Sequence, residues 1–300
     1  MTRNILVTGS NGFMAKSLID KFNKIGSFSV FELSKEASVW NGRPYERVDL
    51  ESEQSVKELL TKIEFDEIYH LAGNSSVIES WREPLNSVVY NSRMTSNIVR
   101  AIIDYALKTK LIFISSSAVY ARNPNPIQEN DPLGPDSPYG MSKMISELEV
   151  GKITNSLIVR PFFVIGPGKR GDVLSDWISQ IRSFKIGQSN YLEVGNLDTI
   201  RDFISVETSA DIIMRLGSSE KGIFNLGSGQ SHSLSEVLNL LRSDCGVDFE
   251  LRTNTLSKIR MSDRRKVVAD VTKLQEVYSF GRLPTLAEQI SRIYKSFEDL

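Results

Sequence analysis

Ile5-Leu6-Val7-Thr8-Gly9-Ser10-Asn11-Gly12-Phe13-Met14-Ala15 decides the fold. A run of apolar and β-branched residues passes directly into a Gly-x-x-Gly-x-x-Ala turn, the pattern of a buried strand feeding a helix. Glycine at 9 and 12 lets the backbone turn tightly and approach a pyrophosphate. That anion would sit at the N-terminus of the following helix, where N–H groups and the helix dipole attract negative charge. Ala15 is small enough for helix and strand to pack closely. An ordinary strand-to-helix turn can carry such a triplet by chance. Its position behind the first strand of the chain is what favours a dinucleotide site built from Gly9, Asn11, Gly12, Phe13 and Met14.

Outward from that turn, short apolar runs alternate with longer amphipathic stretches. Strands are expected at Asn4–Thr8, Ser29–Leu33, Glu67–Leu71, Leu111–Ser115 and Leu157–Pro161. Helical patterns lie between them at about 13–25, 53–62, 86–108 and 139–152. This alternation predicts a parallel sheet covered by helices on both faces. From residue 166 onward glycine, proline and charge interrupt the periodicity, which predicts a smaller lobe with an irregular, ligand-facing surface. Thr199–Val206 and Ile223–Leu226 read as strands that rejoin the first sheet. The expected division is therefore 1–165 with strands from 199–226, against 166–198 and 227–300.

Composition removes several classes of function. With 36 Lys+Arg against 37 Asp+Glu the formal charge is −1, so a nucleic-acid partner is not expected. Cys245 is the single cysteine and there are two histidines, which excludes an internal disulfide and a Cys/His zinc site, so no metal is expected. A reducing, cytoplasmic setting fits. No run approaches the ~18 apolar residues of a membrane span, and MTRNILVTGS reaches glycine too early for a signal-peptide core.

The end of the second strand selects between dinucleotides, because NAD sites carry an acid there for the ribose hydroxyls. Glu32 is that acid if the strand ends with it. If the strand runs two residues further, Ser34 and Lys35 occupy the tip and suit a 2′-phosphate. NADPH is favoured, with NAD as the alternative. Asp49-Leu50, after a short third strand, would line the adenine edge.

Ser137-Pro138-Tyr139-Gly140-Met141-Ser142-Lys143 opens a helix, and its tyrosine and lysine at i and i+4 share one face. A lysine ammonium there is expected to lower the phenol's pKa and make it a usable acid or base. Upstream, Ser115-Ser116-Ser117 ends a strand and places a hydroxyl where parallel sheets carry catalytic loops. Either element alone is weak evidence. In this order, behind a dinucleotide turn, they are strong evidence together.

These motifs resemble the extended short-chain dehydrogenase/reductase family of nucleotide-sugar epimerases, dehydratases and reductases. The likeness extends through His70-Leu71-Ala72-Gly73, Asn91, Ser115–Tyr120, Arg160-Pro161-Phe162, Gly166-Pro167-Gly168 and Arg201-Asp202-Phe203, nearly the whole chain. It implies an α/β fold, a Rossmann-type doubly wound parallel sheet with a smaller C-terminal substrate lobe, and substrate held in the crevice between lobes. It implies Ser116, four residues before Tyr120, as the catalytic serine beside Tyr139 and Lys143. It adds Leu71, Ala72, Gly73 and Asn91 to the cofactor site, and Ser117 to the substrate site.

Leu192–Phe203 resembles the Gly-Asn-Leu-Asp…Arg-Asp-Phe segment of GDP-hexose dehydratases and GDP-4-keto-6-deoxy-mannose reductases. By that likeness Arg201 and Arg260 clamp the substrate diphosphate, a task that suits guanidinium forks. Three positions depart from the family. Met261 stands where proline usually follows the arginine, and Phe163 stands where asparagine often contacts substrate. Ser117-Ala118 offers none of the carboxylate that dehydration needs. The expectation is NADPH-dependent reduction of a 4-keto group on a nucleotide-linked, GDP-type deoxyhexose. The alternatives are an NAD-dependent 4-epimerase using the same residues and a non-catalytic NAD(P) sensor. His70 and His232 receive no catalytic role. The surplus of apolar residues on 86–108 and 139–152 (Ile98, Ala101, Ile102, Tyr105, Met144, Ile145 and Leu148) is expected to pair two chains through a four-helix bundle.

Overall fold

The computed structural model describes residues 2–253, 264–279 and 281–298. In chain order it begins with β1 (Arg3–Thr8), α1 (Phe13–Ile25), β2 (Phe28–Leu33), β3 (Ser38–Trp40), β4 (Arg43–Tyr45), α2 (Glu53–Lys62), β5 (Glu67–His70), α3 (Val77–Arg82) and α4 (Pro84–Asp104). It continues with β6 (Lys110–Ile114), a 3₁₀ turn (Ser117–Val119), α5 (Pro138–Val150), β7 (Ser156–Pro161), β8 (Phe163–Ile165) and α6 (Val173–Lys185). Then follow β9 (Tyr191–Val194), β10 (Ile200–Arg201), β11 (Phe203–Ser205), α7 (Val206–Ser219) and β12 (Gly222–Leu226). The last elements are β13 (His232–Ser233), α8 (Leu234–Cys245), β14 (Glu250–Thr253), β15 (Lys266–Val267), α9 (Thr272–Val277) and α10 (Leu286–Glu298).

Two units emerge. The first takes Met1–Ala121, Glu129–Pro161 and Glu207–Leu226; the second takes Arg122–Gln128, Phe162–Val206 and Gly227–Leu300. The first unit carries, among the described residues, an eight-stranded sheet of order β12-β7-β6-β5-β1-β2-β3-β4. From β12 to β2 every pairing is parallel. Strands β5, β6 and β7 are buried along their whole length, as a sheet covered on both faces requires. Leu6, Phe31, Ile68, Leu111 and Phe113 anchor the core on one side, each side chain contributing about 1.5–3 kcal/mol on burial. The order reverses at β1, whose neighbours are β2 and β5, and this is the switch point where such sheets bind ligands.

The second unit is built on small sheets, β13-β10-β15, β11-β8 and β14-β9. Its core gathers Trp177, Ile178, Leu192, Phe203, Leu241 and Ile290. Asp202 is fully buried and ties three loops together. Its Oδ1 accepts from the Ser228 backbone at 2.7 Å and from the Ser228 hydroxyl at 2.6 Å. Its Oδ2 accepts from the backbones of Gly229 at 3.0 Å and Ala269 at 3.1 Å.

Three expectations need correction. Ile223–Leu226 does join the large sheet inside β12, whereas Thr199–Val206 does not; it supplies β10 and β11 to small sheets of the second unit. The helix expected over 86–108 starts at Pro84 and ends at Asp104. It is preceded by the separate α3, because Pro84 sits in the first turn and pushes Glu83 out of helical geometry at φ −132°. The short third strand expected before Asp49 is present as β3, which forms with β4 an antiparallel hairpin at the sheet edge. Finally, Ile98, Ala101 and Ile102 are core residues rather than surface. The exposed apolar side chains of α4 and α5 are Leu85, Val89, Ile103, Met141 and Leu148.

Candidate active site

The glycine turn lies at the switch point. Gly9 has φ 70°, and a Cβ on it would come within 2.8 Å of the Ala72 nitrogen, so the turn after β1 packs backbone against backbone on the turn after β5. This brings Leu71, Ala72 and Gly73 beside Gly9. The contact is stitched by Thr8, whose Oγ1 accepts from the Ala72 N–H at 3.1 Å. Gly12 caps α1 without a side-chain acceptor, and no acidic residue stands in the first turn of that helix, where Phe13 and Met14 are half-buried. Asn11 donates to the Glu36 carboxylate at 3.0 Å.

β2 ends at Leu33, which places Glu32 inside the strand, paired with Val7 on one side and Val39 on the other. Burial, and secondarily Asp20, raises the pKa of its carboxyl. The tip is Ser34, whose hydroxyl closes a turn with the Ala37 carbonyl at 3.0 Å, and exposed Lys35. Asp49 is exposed, whereas Leu50 is a core residue whose carbonyl accepts from the Asn97 side chain at 2.9 Å. Asn91 is buried and bridges the turn after β5 to α5: its Oδ1 accepts from Asn74 N–H at 2.8 Å, and its Nδ2 donates to Ser142 Oγ at 2.9 Å.

α5 begins because Ser137 caps it, accepting from Gly140 N–H at 3.1 Å, and Pro138 enters its first turn. Gly140 lets the helix lie against the 3₁₀ turn; any side chain there would run into the Ala118 carbonyl. Ser116 precedes that turn and accepts from Ala118 N–H at 3.1 Å, while Ser117 is half-buried in it. Tyr139 and Lys143 are buried.

The expected effect of Lys143 on the phenol is corrected. Burial pushes the Tyr139 phenol above its ordinary value, against a smaller pull from the Ser116 hydroxyl. Lys143 Nζ donates to the Ile114 carbonyl at 2.8 Å and lies 4.9 Å from the centre of the Phe113 ring. Burial drives the Lys143 pKa down to about 8, with Glu147 opposing.

Behind these residues lies a network the sequence reading did not single out. Arg160 grips Glu147 with a bidentate fork, Nε to Oε1 at 2.9 Å and Nη2 to Oε2 at 2.6 Å. Its Nη1 reaches Tyr120 Oη at 2.8 Å and the Glu129 carbonyl at 3.0 Å. Tyr120 in turn donates to Asn225 Oδ1 at 2.6 Å. Glu147 stands at i+8 from Tyr139, so continuing the Tyr139–Lys143 spacing by one step finds it.

In the second unit, Arg201 Nη1 donates to the carbonyls of Ile200 at 2.9 Å and Arg264 at 2.8 Å. Arg260 and Met261 lie outside the described residues. Phe163 packs edge-on against Phe203, 5.4 Å between centres, with Lys169 Nζ 5.2 Å from its own ring centre. Among the described residues no helix is long and apolar enough to cross a membrane, and no group of three or more His, Cys, Asp or Glu side chains could hold a metal.

Residues 5–227 match the model of the NAD dependent epimerase/dehydratase family. The chain belongs to that family. Within it, the GDP-6-deoxy-D-mannose reductase of Pseudomonas aeruginosa is 30% identical over 312 residues, covering 99% of this chain and 98% of that protein. The GDP-6-deoxy-D-talose 4-dehydrogenase of Aggregatibacter actinomycetemcomitans is 31% identical over 302 residues, covering 95% and 96%. Among solved structures, RMD from Pseudomonas aeruginosa complexed with NADPH superposes with a TM-score of 0.86 at 27% identity, covering 99% of both chains.

Proposed function

We propose that this chain reduces the 4-keto group of a nucleotide-linked deoxyhexose, GDP-linked, using NADPH. The observation that carries the reading is the buried Tyr139 phenol beside Ser116 at the end of β6, held protonated by burial and so suited to giving a proton. The likeness to a GDP-6-deoxy-D-mannose reductase and a GDP-6-deoxy-D-talose 4-dehydrogenase supports the same reading.

The first unit fits a dinucleotide. Its glycine-capped helix start carries no acidic side chain, and the tip of β2 presents Ser34 and Lys35 rather than a carboxylate at the strand's last residue. When bound, the nicotinamide supplies hydride to the keto carbon. Ser116 donates a hydrogen bond to the carbonyl oxygen, and Tyr139 delivers its proton to that oxygen as the alcohol forms. Lys143, fixed on the Ile114 carbonyl, would hold the nicotinamide ribose. Gly9, Asn11, Gly12, Phe13, Met14 and the Leu71–Gly73 turn are assigned to the cofactor. Ser117, Arg201 and Arg260 are assigned to the sugar nucleotide. Asn91 is assigned to holding the cofactor-side loop onto α5, and a homodimer through α4 and α5 completes the reading.

The test supplies GDP-, dTDP-, CDP- and UDP-linked 4-keto sugars with NADPH or NADH and follows absorbance of the reduced cofactor. Oxidation of NADPH with the GDP sugar is expected. Tyr139→Phe should lose on the order of 10²-fold or more in rate while still binding NADPH. Near-normal turnover in that variant overturns the mechanism. Redox-neutral inversion at C4 by a protein that retains its nicotinamide through purification makes the chain an epimerase.

A further inference from the structure

Tyr139, Lys143 and Glu147 stand at i, i+4 and i+8 on α5, one stripe along one helix face. That stripe meets three consecutive residues of the chain leaving β6. Lys143 Nζ donates to the Ile114 carbonyl at 2.8 Å, Ser115 Oγ donates to Glu147 Oε1 at 2.5 Å, and the Ser116 hydroxyl acts on the Tyr139 phenol. The mechanism above uses the first and third of these contacts. It gives no task to the middle one, or to the Arg160 fork that holds Glu147 from β7.

We propose that Glu147 is a positioning residue for the reduction: anchored by Arg160, its carboxylate fixes Ser115 and thereby the backbone that presents Ser116 to Tyr139, and its negative charge keeps the neighbouring Lys143 an ammonium. The roles of Ser116, Tyr139 and Lys143 in this statement rest on the ketoreductase reading.

A purely structural account of the pair is poor on energetic grounds. Side chains of Arg160 and Glu147 are 2% and 5% exposed, and burying two charges commonly stabilises a fold no more than an apolar pair of equal volume would. What an apolar pair cannot provide is a fixed acceptor for Ser115 and a negative charge beside Lys143. The titratable groups facing Lys143 are few. Glu147 and Tyr139 lie on its own helix; His70 on β5 is neutral, its pKa forced down to about 3; Arg160 on β7 and Tyr120 after the 3₁₀ turn stand behind Glu147. Of the α4 residues joined to this region, Asn91 and Thr95 do not titrate. Burial disfavours the ammonium and Glu147 is the group that opposes it.

The experiment compares wild type with Glu147→Gln, which keeps the volume and loses the charge. Protein labelled with 13C-lysine reports the Lys143 titration by NMR, its resonance assigned by loss in Lys143→Arg. In Glu147→Gln the Lys143 midpoint should move to lower pH. With the keto sugar and NADPH, kcat should fall on the order of tenfold or more with KM nearly unchanged, because misplacement at the reacting centre costs rate rather than binding. The alkaline limb of kcat should move with the NMR midpoint. Ser115→Ala leaves the ion pair intact and should lower kcat without moving the Lys143 midpoint, and it decides the positioning role if Glu147→Gln does not fold. An unmoved midpoint in folded Glu147→Gln, or an unchanged kcat in Ser115→Ala, overturns the proposal. If wild type reduces no keto sugar, the ketoreductase reading fails, and the lysine titration still decides whether Glu147 holds the charge on Lys143.

Discussion

Thr8 Oγ1 lies 2.8 Å from Nδ1 of His70, and the two residues are register partners at the C-terminal ends of β1 and β5. The other ring nitrogen lies 3.0 Å from Thr95 Oγ1 on α4. One buried imidazole therefore joins the two strands that flank the switch point to the helix behind them, one residue from the glycine turn. Burial, and secondarily the charge of Lys143, forces its pKa down to about 3.

That neutral ring should make the fold acid-sensitive. In the unfolded chain a histidine takes up a proton near pH ~6.5, which the folded chain refuses until about pH 3. Across that window the unfolded state binds more protons, so stability declines by about 1.4 kcal/mol per pH unit as pH falls. His70→Gln, which retains a donor and an acceptor without titrating, should flatten the fall in Tm between about pH 6.5 and about pH 4.5. Thermal melts with equal slopes for both proteins would assign the acid sensitivity to other groups.

Lys143 makes the same trade at higher pH. Its folded pKa near 8 lies below the unfolded value of about 10.5, so folding pays for an ammonium at neutral pH. The gap corresponds to about 3 kcal/mol below pH 8, and it closes as pH rises from about 8 to about 10.5. Lys143→Met should therefore raise Tm at pH 7 while abolishing reduction. The gain is reduced by about 1 kcal/mol, because the Ile114 carbonyl loses a partner. The advantage over wild type should shrink on moving to pH 9.5. A variant less stable than wild type at pH 7 would mean that the lysine's packing outweighs the cost of its charge.

What the sequence made legible is what is local in it. The Gly9–Ala15 turn and the Tyr139–Lys143 spacing each lie within one turn of chain, and both occur in the elements expected. The choice between Glu32 and Ser34 depended on one or two residues of strand length, which composition does not determine; β2 ends between them, at Leu33 paired with Thr8. Glu147 carries no signal alone. It acquires a task only when β6 and β7 bring Ser115 and Arg160 to it, from 32 and 13 residues away. Glu36 likewise meets Asn11 only because β2 returns beside β1. The surplus of apolar residues on the two helices was legible, but which of them were surplus was not, since Ile98, Ala101 and Ile102 were needed for the core.

The homodimer can be tested through the residues left over. Leu85 is 73% exposed on α4 and Leu148 is 66% exposed on α5, with Val89 and Met141 also exposed on these two helices. Apolar groups this exposed on neighbouring helices suit a two-fold, self-complementary interface. Light scattering at micromolar concentration should give twice the chain mass for wild type. The double variant Val89→Glu/Leu148→Glu should give the chain mass itself, with far-UV circular dichroism unchanged. A wild-type protein found only at the chain mass contradicts the dimer.

Arg201 separates a phosphate contact from a structural tie. Its guanidinium donates to the carbonyls of Ile200 and Arg264, so it braces the stretch at Arg264, and the proposed diphosphate contact would use the same side chain. Removing one charge-assisted contact to phosphate should cost on the order of 1.5–3 kcal/mol, roughly a ten- to hundredfold rise in Kd. Titration calorimetry of Arg201→Ala with GDP, guanosine and NADPH distinguishes the two roles. A direct clamp weakens GDP by that factor and leaves guanosine alone, because guanosine has no diphosphate to lose. A brace on the Arg264 stretch weakens GDP and guanosine alike. NADPH affinity should hold in either case, since its phosphates are assigned to the glycine turn of the first unit. GDP affinity equal to wild type, in a variant that melts at the wild-type temperature, removes Arg201 from the substrate site and with it the strongest residue-level reason for choosing a sugar nucleotide.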